Sequence, residues 1–280
     1  MNNILIIYHK NCNDGFGAAL TTWLKFGPNA EYYPANHHSK PPDVTGKTVF
    51  ICDFSYKKEQ LLVMIEQAIS LTVIDHHLSA EKELESIPDK YKIFDMNHSG
   101  AYLTWKYFFP NTKVPLLIQY IEDRDIWINS MENTFECFYG LCELPKSFKI
   151  WKKYLDDNNI DELIDSGKII HKHNSNLIQH IIKSGYVKSQ ELLDGKTYNI
   201  AYLNSNVLKS DLGNYLIEKL FNEADFSAIY HYDGNFNKTH FSLRSKENKA
   251  DVSAIATLYG GGGHKYASGI TFDGQKLCFP

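Results

Sequence analysis

Residues 71–80 read Leu-Thr-Val-Ile-Asp-His-His-Leu-Ser-Ala, and no other stretch restricts the fold as tightly. The run Leu71–Ile74 has the length and β-branched content of a strand buried on both faces of a parallel sheet. It ends abruptly in Asp75, His76 and His77. In open α/β sheets, the carboxyl edge of the strands is where ligands sit. An acid and two imidazoles at that edge can hold a divalent cation and a phosphate together.

Other strands in the N-terminal half end the same way. Asn3–Tyr8 reads as a buried strand and runs into His9, Asn11, Cys12, Asn13, Asp14 and Gly15. A helix is predicted from Phe16 to about Phe26. Lys47–Ile51 is a second buried strand and ends at Cys52-Asp53, and Gln60–Ile69 is an amphipathic crossover helix leading to strand 71–74. Lys92–Asp95 is a further short strand. A helix over Ala101–Phe109 follows, with Ser99 as its N-cap. Strand and helix alternate, which predicts a doubly wound parallel sheet. From about Ile150 to Ser184 the pattern is helical and polar, with Leu163, Ile164, Ile169, Ile170, Leu177, Ile178, Ile181 and Ile182 on one face. This reads as a connector. Beyond it come a strand (Tyr198–Leu203), a helix (Asp211–Phe221), a pair of strands (Phe226–Tyr232 and His240–Arg244) around Asp233-Gly234-Asn235, and a helix (Val252–Tyr259). The expected layout is an α/β domain with its connector over residues 1–185 and a smaller α/β domain over 186–280.

Hard divalent ions such as Mn²⁺ and Mg²⁺ accept carboxylate oxygens, and Mn²⁺ also accepts imidazole. Two such ions about 3.5–4 Å apart can clamp the attacking and leaving oxygens of a phosphoryl displacement. Asp53, ending a central strand, is the candidate shared carboxylate. His9 belongs on one ion, and Asp14 and His76 belong on the other, with Asp125 arriving from a later loop. Asp75 is expected to orient His76, and His77 to donate to a phosphate oxygen. Aspartates also end strands as ordinary turn residues, so it is the convergence of several strand ends that carries the reading. Asp123 competes with Asp125, and spacing alone does not choose between them. His37 and His38 lie in a polar loop and are read as solvated. His171, His173 and His180 are read as exposed on the connector, and Cys12 as a small packing residue. In the C-terminal half, the backbone of Gly260–Gly263 can approach an anion closely. His264 and Arg244 can then reach a phosphate.

These residues resemble the DHH phosphoesterase superfamily over nearly the whole chain. The N-terminal motifs are His9 to Gly15, Ile51-Cys52-Asp53, Val73 to His77 and Arg124-Asp125-Ile126-Trp127. The C-terminal half is similar to the DHH-associated domain through Gly261-Gly262-Gly263-His264 and Ala267-Ser268-Gly269. The stretches Asp251–His264 and Phe241–Ser245 are especially similar to nanoRNase B-type oligoribonucleases. The resemblance implies a phosphodiesterase using Mn²⁺, with two ions and Mg²⁺ as the alternative, that cuts short RNA in a cleft between two domains. It favours Asp125 over Asp123. It implies catalytic roles for Asp75, His76 and His77, and metal ligation by His9, Asn11, Asp14, Asp53, His76 and Asp125. Substrate contacts would fall to His77, Ser99, Arg244, Gly261, Gly262, Gly263 and His264. Members usually carry two aspartates after the first His. Here only Asp14 is acidic, and Asn11 and Asn13 occupy the region of the other. A second reading on the same scaffold is an exopolyphosphatase or nucleotide 3′-phosphatase. A third is a catalytically weak nucleotide-binding protein.

Composition sets the remaining bounds. A net charge of −4 argues against gripping long duplex nucleic acid by bulk charge, whereas short RNA oligonucleotides or nucleotides bridged by cations remain suitable. No apolar run approaches the roughly 20 residues that span a bilayer, so no membrane partner is expected. Five scattered cysteines without a CxxC pair suit a reducing cytoplasm. The connector leaves homodimer formation open.

Overall fold

The computed structural model describes residues 3–36 and 39–279. The expectation for His37 and His38 lies outside the described residues. The chain divides into two compact units, Met1–Lys172 and His173–Pro280. The division falls within a helix instead of at 185/186.

The first unit runs β1 (Ile4–His9), α1 (Asn13–Phe26), β2 (Ala30–Ala35), β3 (Thr48–Cys52), α2 (Lys58–Gln67), β4 (Ser70–Asp75), α3 (Leu78–Glu83), β5 (Lys92–Phe94), α4 (Gly100–Phe108), α5 (Leu116–Asp125), α6 (Thr134–Cys142), α7 (Phe148–Trp151) and the start of α8 (Ile160–Lys183). The strands form one parallel sheet in the order β2-β1-β3-β4-β5. This is the doubly wound arrangement expected from the sequence. Its strand order reverses between β1 and β3, where such sheets open a crevice at their carboxyl ends.

Strand side chains alternate between two cores. Leu5, Ile7, Val49, Ile51, Leu71 and Val73 pack on one face with Leu61 and Met64 of α2 and Leu84. Phe50, Cys52 and Ile74 face the other side. There Phe16 and Leu20 of α1, Ala101 and Trp105 of α4, and Leu117, Ile118 and Ile121 of α5 cover them. Trp151 is fully buried in the second core, against Phe16 with ring centroids 4.8 Å apart. Burying side chains of this size stabilises the unit by about 1.5–3 kcal/mol each.

The second unit contains the end of α8, then β6 (Val187–Leu193), β7 (Lys196–Asn204), α9 (Lys209–Tyr215), β8 (Phe226–Asp233), β9 (Lys238–Arg244), α10 (Val252–Leu258), β10 (Gly262–His264) and β11 (Ala267–Asp273). The strand order is β10-β11-β9-β8-β7-β6, and only β7 and β8 run parallel. Phe226, Phe241, Leu243 and Ile270 pack with α10 on one face. Ala201, Leu203 and Ile229 pack with α9 on the other.

Several local expectations need correction. The connector is not one continuous helix from Ile150. Short 3-10 turns at Lys152–Leu155 and Asp157–Asn159 come before α8, and Ile169 is exposed instead of facing a core. The helix expected over Asp211–Phe221 is α9 followed by a π-turn at Leu216–Leu220, where the Phe221 amide donates to the Leu216 carbonyl at 2.7 Å. His171 is half-buried. Its Nδ1 lies 2.8 Å from Glu136, and its ring stacks on Phe135.

Candidate active site

Four elements of the first unit bring their chemistry to one place. β1 ends at His9, α1 begins with Asn13 and Asp14, Asp53 follows β3, and β4 delivers Asp75, His76 and His77. Asp53 adopts a left-handed backbone (φ +54°), and its amide donates to the Ile74 carbonyl at 2.9 Å. This turn holds the carboxylate beside His76. It also requires glycine at position 100, because a Cβ there would lie 2.5 Å from the Cβ of Asp53.

His76 is the hub. Its Nε2 lies 3.1 Å from Asp53 Oδ1, 3.5 Å from Asp14 Oδ2 and 3.5 Å from Asp125 Oδ2. Burial works against charging the ring, but the bond to Asp53 and the charges of Asp125 and Asp14 prevail and hold its pKa at about 10. Burial pushes Asp14 well above the usual carboxylate range, and the neighbouring Asp53 and Asp125 add to the shift. Asp125 is raised for similar reasons, led by burial. Asp53 moves the other way. Burial would raise it, yet the bond from His76 and the nearby imidazoles of His9 and His77 draw it well below the usual range. Asp14 is further fixed by the amides of Gly100 (2.6 Å) and Ala101 (2.9 Å), so it also caps the first turn of α4. Ser99 is the N-cap expected from the sequence, accepting from the Tyr102 amide at 3.3 Å.

Asp123 and Asp125 differ in their contacts. Both lie on α5, but Asp123 accepts from the Ser130 and Met131 amides at 3.0 and 3.1 Å, and from the Thr134 hydroxyl. It ties down the loop after α5. Asp125 alone joins the carboxylates around His76. Between them, the Arg124 guanidinium lies 3.8 Å from the Trp127 ring centroid and close to Phe135 and Phe138.

Asp75 also differs from expectation. Its Oδ1 accepts from His77 Nδ1 at 2.7 Å and from the His76 amide at 2.8 Å, and its Oδ2 accepts from the Ser55 hydroxyl at 2.6 Å. The ring it orients is that of His77, not His76. Burial disfavours a charged His77, but Asp75 more than compensates and raises its pKa.

Asn11 is exposed at φ +61°. Asn13 turns both amide atoms elsewhere: its Oδ1 accepts from Lys146 Nζ, and its Nδ2 donates to Cys142 Sγ at 3.4 Å. Cys12, read as a small packing residue in the site loop, stands close to His9 and Asp53. His9, Cys12 and Asp53 each place a possible ligand atom within 4.8 Å of the others, as do Asp14, His76 and Asp125. The only sequence signal for Cys12 was its position between His9 and Asp14.

These donors fit divalent cations. Asp53 is 1% exposed and its Oδ2 accepts no hydrogen bond; His9 Nδ1 stands 3.6 Å away. Burying such an oxygen without a partner costs about 1–3 kcal/mol, which a cation would offset. Carboxylate and imidazole donors suit Mn²⁺ or Mg²⁺.

In the second unit, Arg244 of β9 pairs with Ala267 of β11, and Ala267 pairs with His264 of β10. Arg244 and His264 thus occupy one row across three strands, and cross-strand partners share a face. The guanidinium donates to the Ser210 hydroxyl at 2.5 Å. Lys209, not singled out in the sequence, has its pKa lowered by burial and by Arg244. The glycine run is built into a hairpin: a Cβ at Gly261 would meet the Gly269 carbonyl oxygen at 2.1 Å, and one at Gly263 would meet that of Ala267 at 2.6 Å.

No family model matches the chain. The uncharacterized protein R106 of Acanthamoeba polyphaga mimivirus is 36% identical over 293 residues, covering 99% of this chain and 69% of that one. Among solved structures, RecJ from Thermus thermophilus, crystallised with Mn²⁺, aligns at a TM-score of 0.51 and 11% identity over 97% of this chain and 50% of its own. The pGpG-specific phosphodiesterase PggH from Vibrio cholerae aligns at 0.50 and 16% identity, covering 96% and 93%. At such identities the likeness is one of fold. Among the described residues, no helix is long and apolar enough to cross a membrane. The chain belongs to the same family as the mimivirus protein R106, and its fold is similar to those of RecJ and PggH.

Proposed function

We propose that the protein is a metal-dependent phosphoesterase that hydrolyses short oligoribonucleotides or small nucleotide phosphodiesters. The observation that carries this reading is the placement of Asp14, Asp53 and Asp125 around His76, with His9 on the far side of Asp53, at the reversal point of the sheet. Asp14, His76 and Asp125 would hold one divalent ion and His9 the other, with Asp53 shared between them. A pair of ions held there would supply the positive field that lowers the pKa of a water and steadies charge on a phosphate.

The chain's own residues do the rest. Asp75 fixes the His77 ring through Nδ1 and favours its charged form. In that form the ring also carries an Nε2–H that can donate to a phosphate oxygen. Ser55 holds the remaining oxygen of Asp75 and keeps that carboxylate from turning. In the second unit, Arg244 and His264 form an anion-reading row, and we assign to it the terminal phosphate or base of a nucleotide. The likeness of fold to a protein specific for pGpG supports a dinucleotide-sized substrate.

Turnover of 5′-phosphorylated dinucleotides against linear polyphosphate, each with Mn²⁺, tests the substrate class. Dinucleotide hydrolysis that weakens in Arg244→Ala mainly through KM is expected. Hydrolysis of polyphosphate alone would replace this reading with the exopolyphosphatase one.

A further inference from the structure

The segment from the end of β1 to the first turn of α1 supplies three candidate donors to the site, and they are not of one kind. His9 offers an imidazole, Asp14 a carboxylate, and Cys12 a thiol. Asp14 is committed to the His76 side, where Asp125 also stands. On the His9 side there is no second carboxylate from the loop. Asn11 is exposed, and both amide atoms of Asn13 are engaged with Lys146 and Cys142. What fills the gap is Cys12, whose Sγ lies within 4.8 Å of a His9 ring nitrogen and an Asp53 oxygen. A separate observation points to a ligand there. Asp53 is 1% exposed, its Oδ1 is taken by His76, and its Oδ2 accepts no hydrogen bond.

We propose that His9, Cys12 and Asp53 form a thiolate-containing cation site beside the Asp14–His76–Asp125 site, so that the two positions of this centre select different metals. A sulfur donor shifts preference from Mn²⁺ and Mg²⁺ toward Zn²⁺ and other thiophilic ions. The all-oxygen and imidazole site retains the harder preference. On coordination, the Cys12 thiol releases its proton to solvent and a metal–sulfur bond forms. Cys12 is the N-cap residue of α1 in an extended conformation (φ −107°, ψ 144°), and its side chain makes no capping hydrogen bond, so the sulfur is not spent on the helix. The proposal deepens the two-ion reading above, but it concerns only which atoms hold a cation.

The test is optical titration of the metal-free full-length protein with Co²⁺ and Cd²⁺, with bound metal counted by elemental analysis. The expected result is a near-ultraviolet sulfur-to-metal charge-transfer band that saturates at one equivalent, survives in Cys142→Ser and disappears in Cys12→Ser. Cadmium affinity should fall roughly tenfold or more in that variant, while Mn²⁺ affinity at the other site changes little. A second measurement needs no variant. In the native chain, Cd²⁺ should protect Cys12 from alkylation, mapped by mass spectrometry, while the exposed Cys142 and Cys278 stay reactive. Bound metal without a charge-transfer band, an unchanged band in Cys12→Ser, or unprotected Cys12 would each overturn the proposal. A Cys12-dependent band in a chain that hydrolyses no phosphodiester would sink the hydrolase reading and leave this one standing.

Discussion

At the scale of single residues, Asp123 and Asp125 show how two identical side chains two positions apart acquire different work. Asp123 spends its oxygens on the Ser130 and Met131 amides and the Thr134 hydroxyl. Asp125 spends its charge on the group around His76. Asp123→Ala should therefore destabilise the first unit by about 1–3 kcal/mol through unpaired donors, read as a lowered denaturation midpoint. Asp125→Asn should leave stability unchanged or slightly raised in metal-free buffer, because it removes one of several crowded carboxylates, while metal-dependent turnover falls at least a hundredfold. A melting loss in Asp125→Asn equal to that of Asp123→Ala would contradict the assignment. Gly100→Ala tests the packing beneath the site, since its Cβ would press on Asp53. Overpacking of this kind costs about 1–3 kcal/mol, and we expect a loss of metal affinity larger than the loss of stability would explain. The residues that could be read from the sequence were those at strand ends with apolar runs before them: His9, Asp53 and His76. The partner of Asp75 was not readable, because the choice between the two adjacent rings depends on side-chain rotation at the end of β4. Nor was Cys12, since a cysteine in a loop has no periodicity to betray its direction.

At the scale of elements, β1, β3 and β4 were legible because burial on both faces demands continuous apolar runs. β2 was not. Its sequence, Ala-Glu-Tyr-Tyr-Pro-Ala, carries a proline and a charge that an edge strand tolerates and a central strand does not. β6 escaped for a related reason: it is a largely exposed edge strand whose central residues, Lys188 to Glu191, are all polar. The glycine run was read as backbone that can approach an anion closely, and its place in the β10–β11 hairpin, with cross-strand contacts too close for any Cβ at Gly261 and Gly263, left no sequence trace. The contact between α6 and α8 joins residues far apart in sequence and left no local trace. There Glu136 meets His171, and the carboxyl is held below its ordinary value: burial raises it, but the bond from His171 lowers it further. A depressed carboxyl adds stability that is present above its unfolded pKa of about 4.3 and is lost as pH falls through the folded value. Native protein should thus exceed Glu136→Gln in stability above pH ~5 by no more than about 1 kcal/mol, given the exposure of the pair. The gap should close as the pH is lowered through about 4, followed by thermal denaturation. A gap that widens on acidification would contradict this.

At the scale of the whole molecule, the residues of the proposed cation site lie in the first unit, and each unit has its own core. Site ions should consequently stabilise the first unit and not the second. At a free metal concentration about a hundredfold above Kd, the gain is about 2.7 kcal/mol. Calorimetry with and without a chelator should shift one unfolding component, and hydrogen exchange should place the loss of protection in β1, β3 and β4. Equal shifts in both units would contradict the assignment. The two-unit α/β plan was legible because the two halves differ in pattern, with alternating strand and helix before the connector and paired strands after it. The position of the division was not, since α8 contributes Ile160, Leu163 and Ile164 to one core and Ile178 to the other.

The phosphoesterase activity proposed for short RNA depends on Asp53, shared between imidazoles and the proposed cations. The most direct measurement is hydrolysis of a 5′-labelled RNA ladder, from dinucleotide to about ten nucleotides, with Mn²⁺ added and with chelator, for the native chain and Asp53→Asn. Fast turnover of the shortest species, abolished by chelation and by the substitution in a protein that still melts cooperatively, is the result predicted. Turnover that survives in Asp53→Asn, or its absence at every length in protein shown to hold metal, would contradict the account.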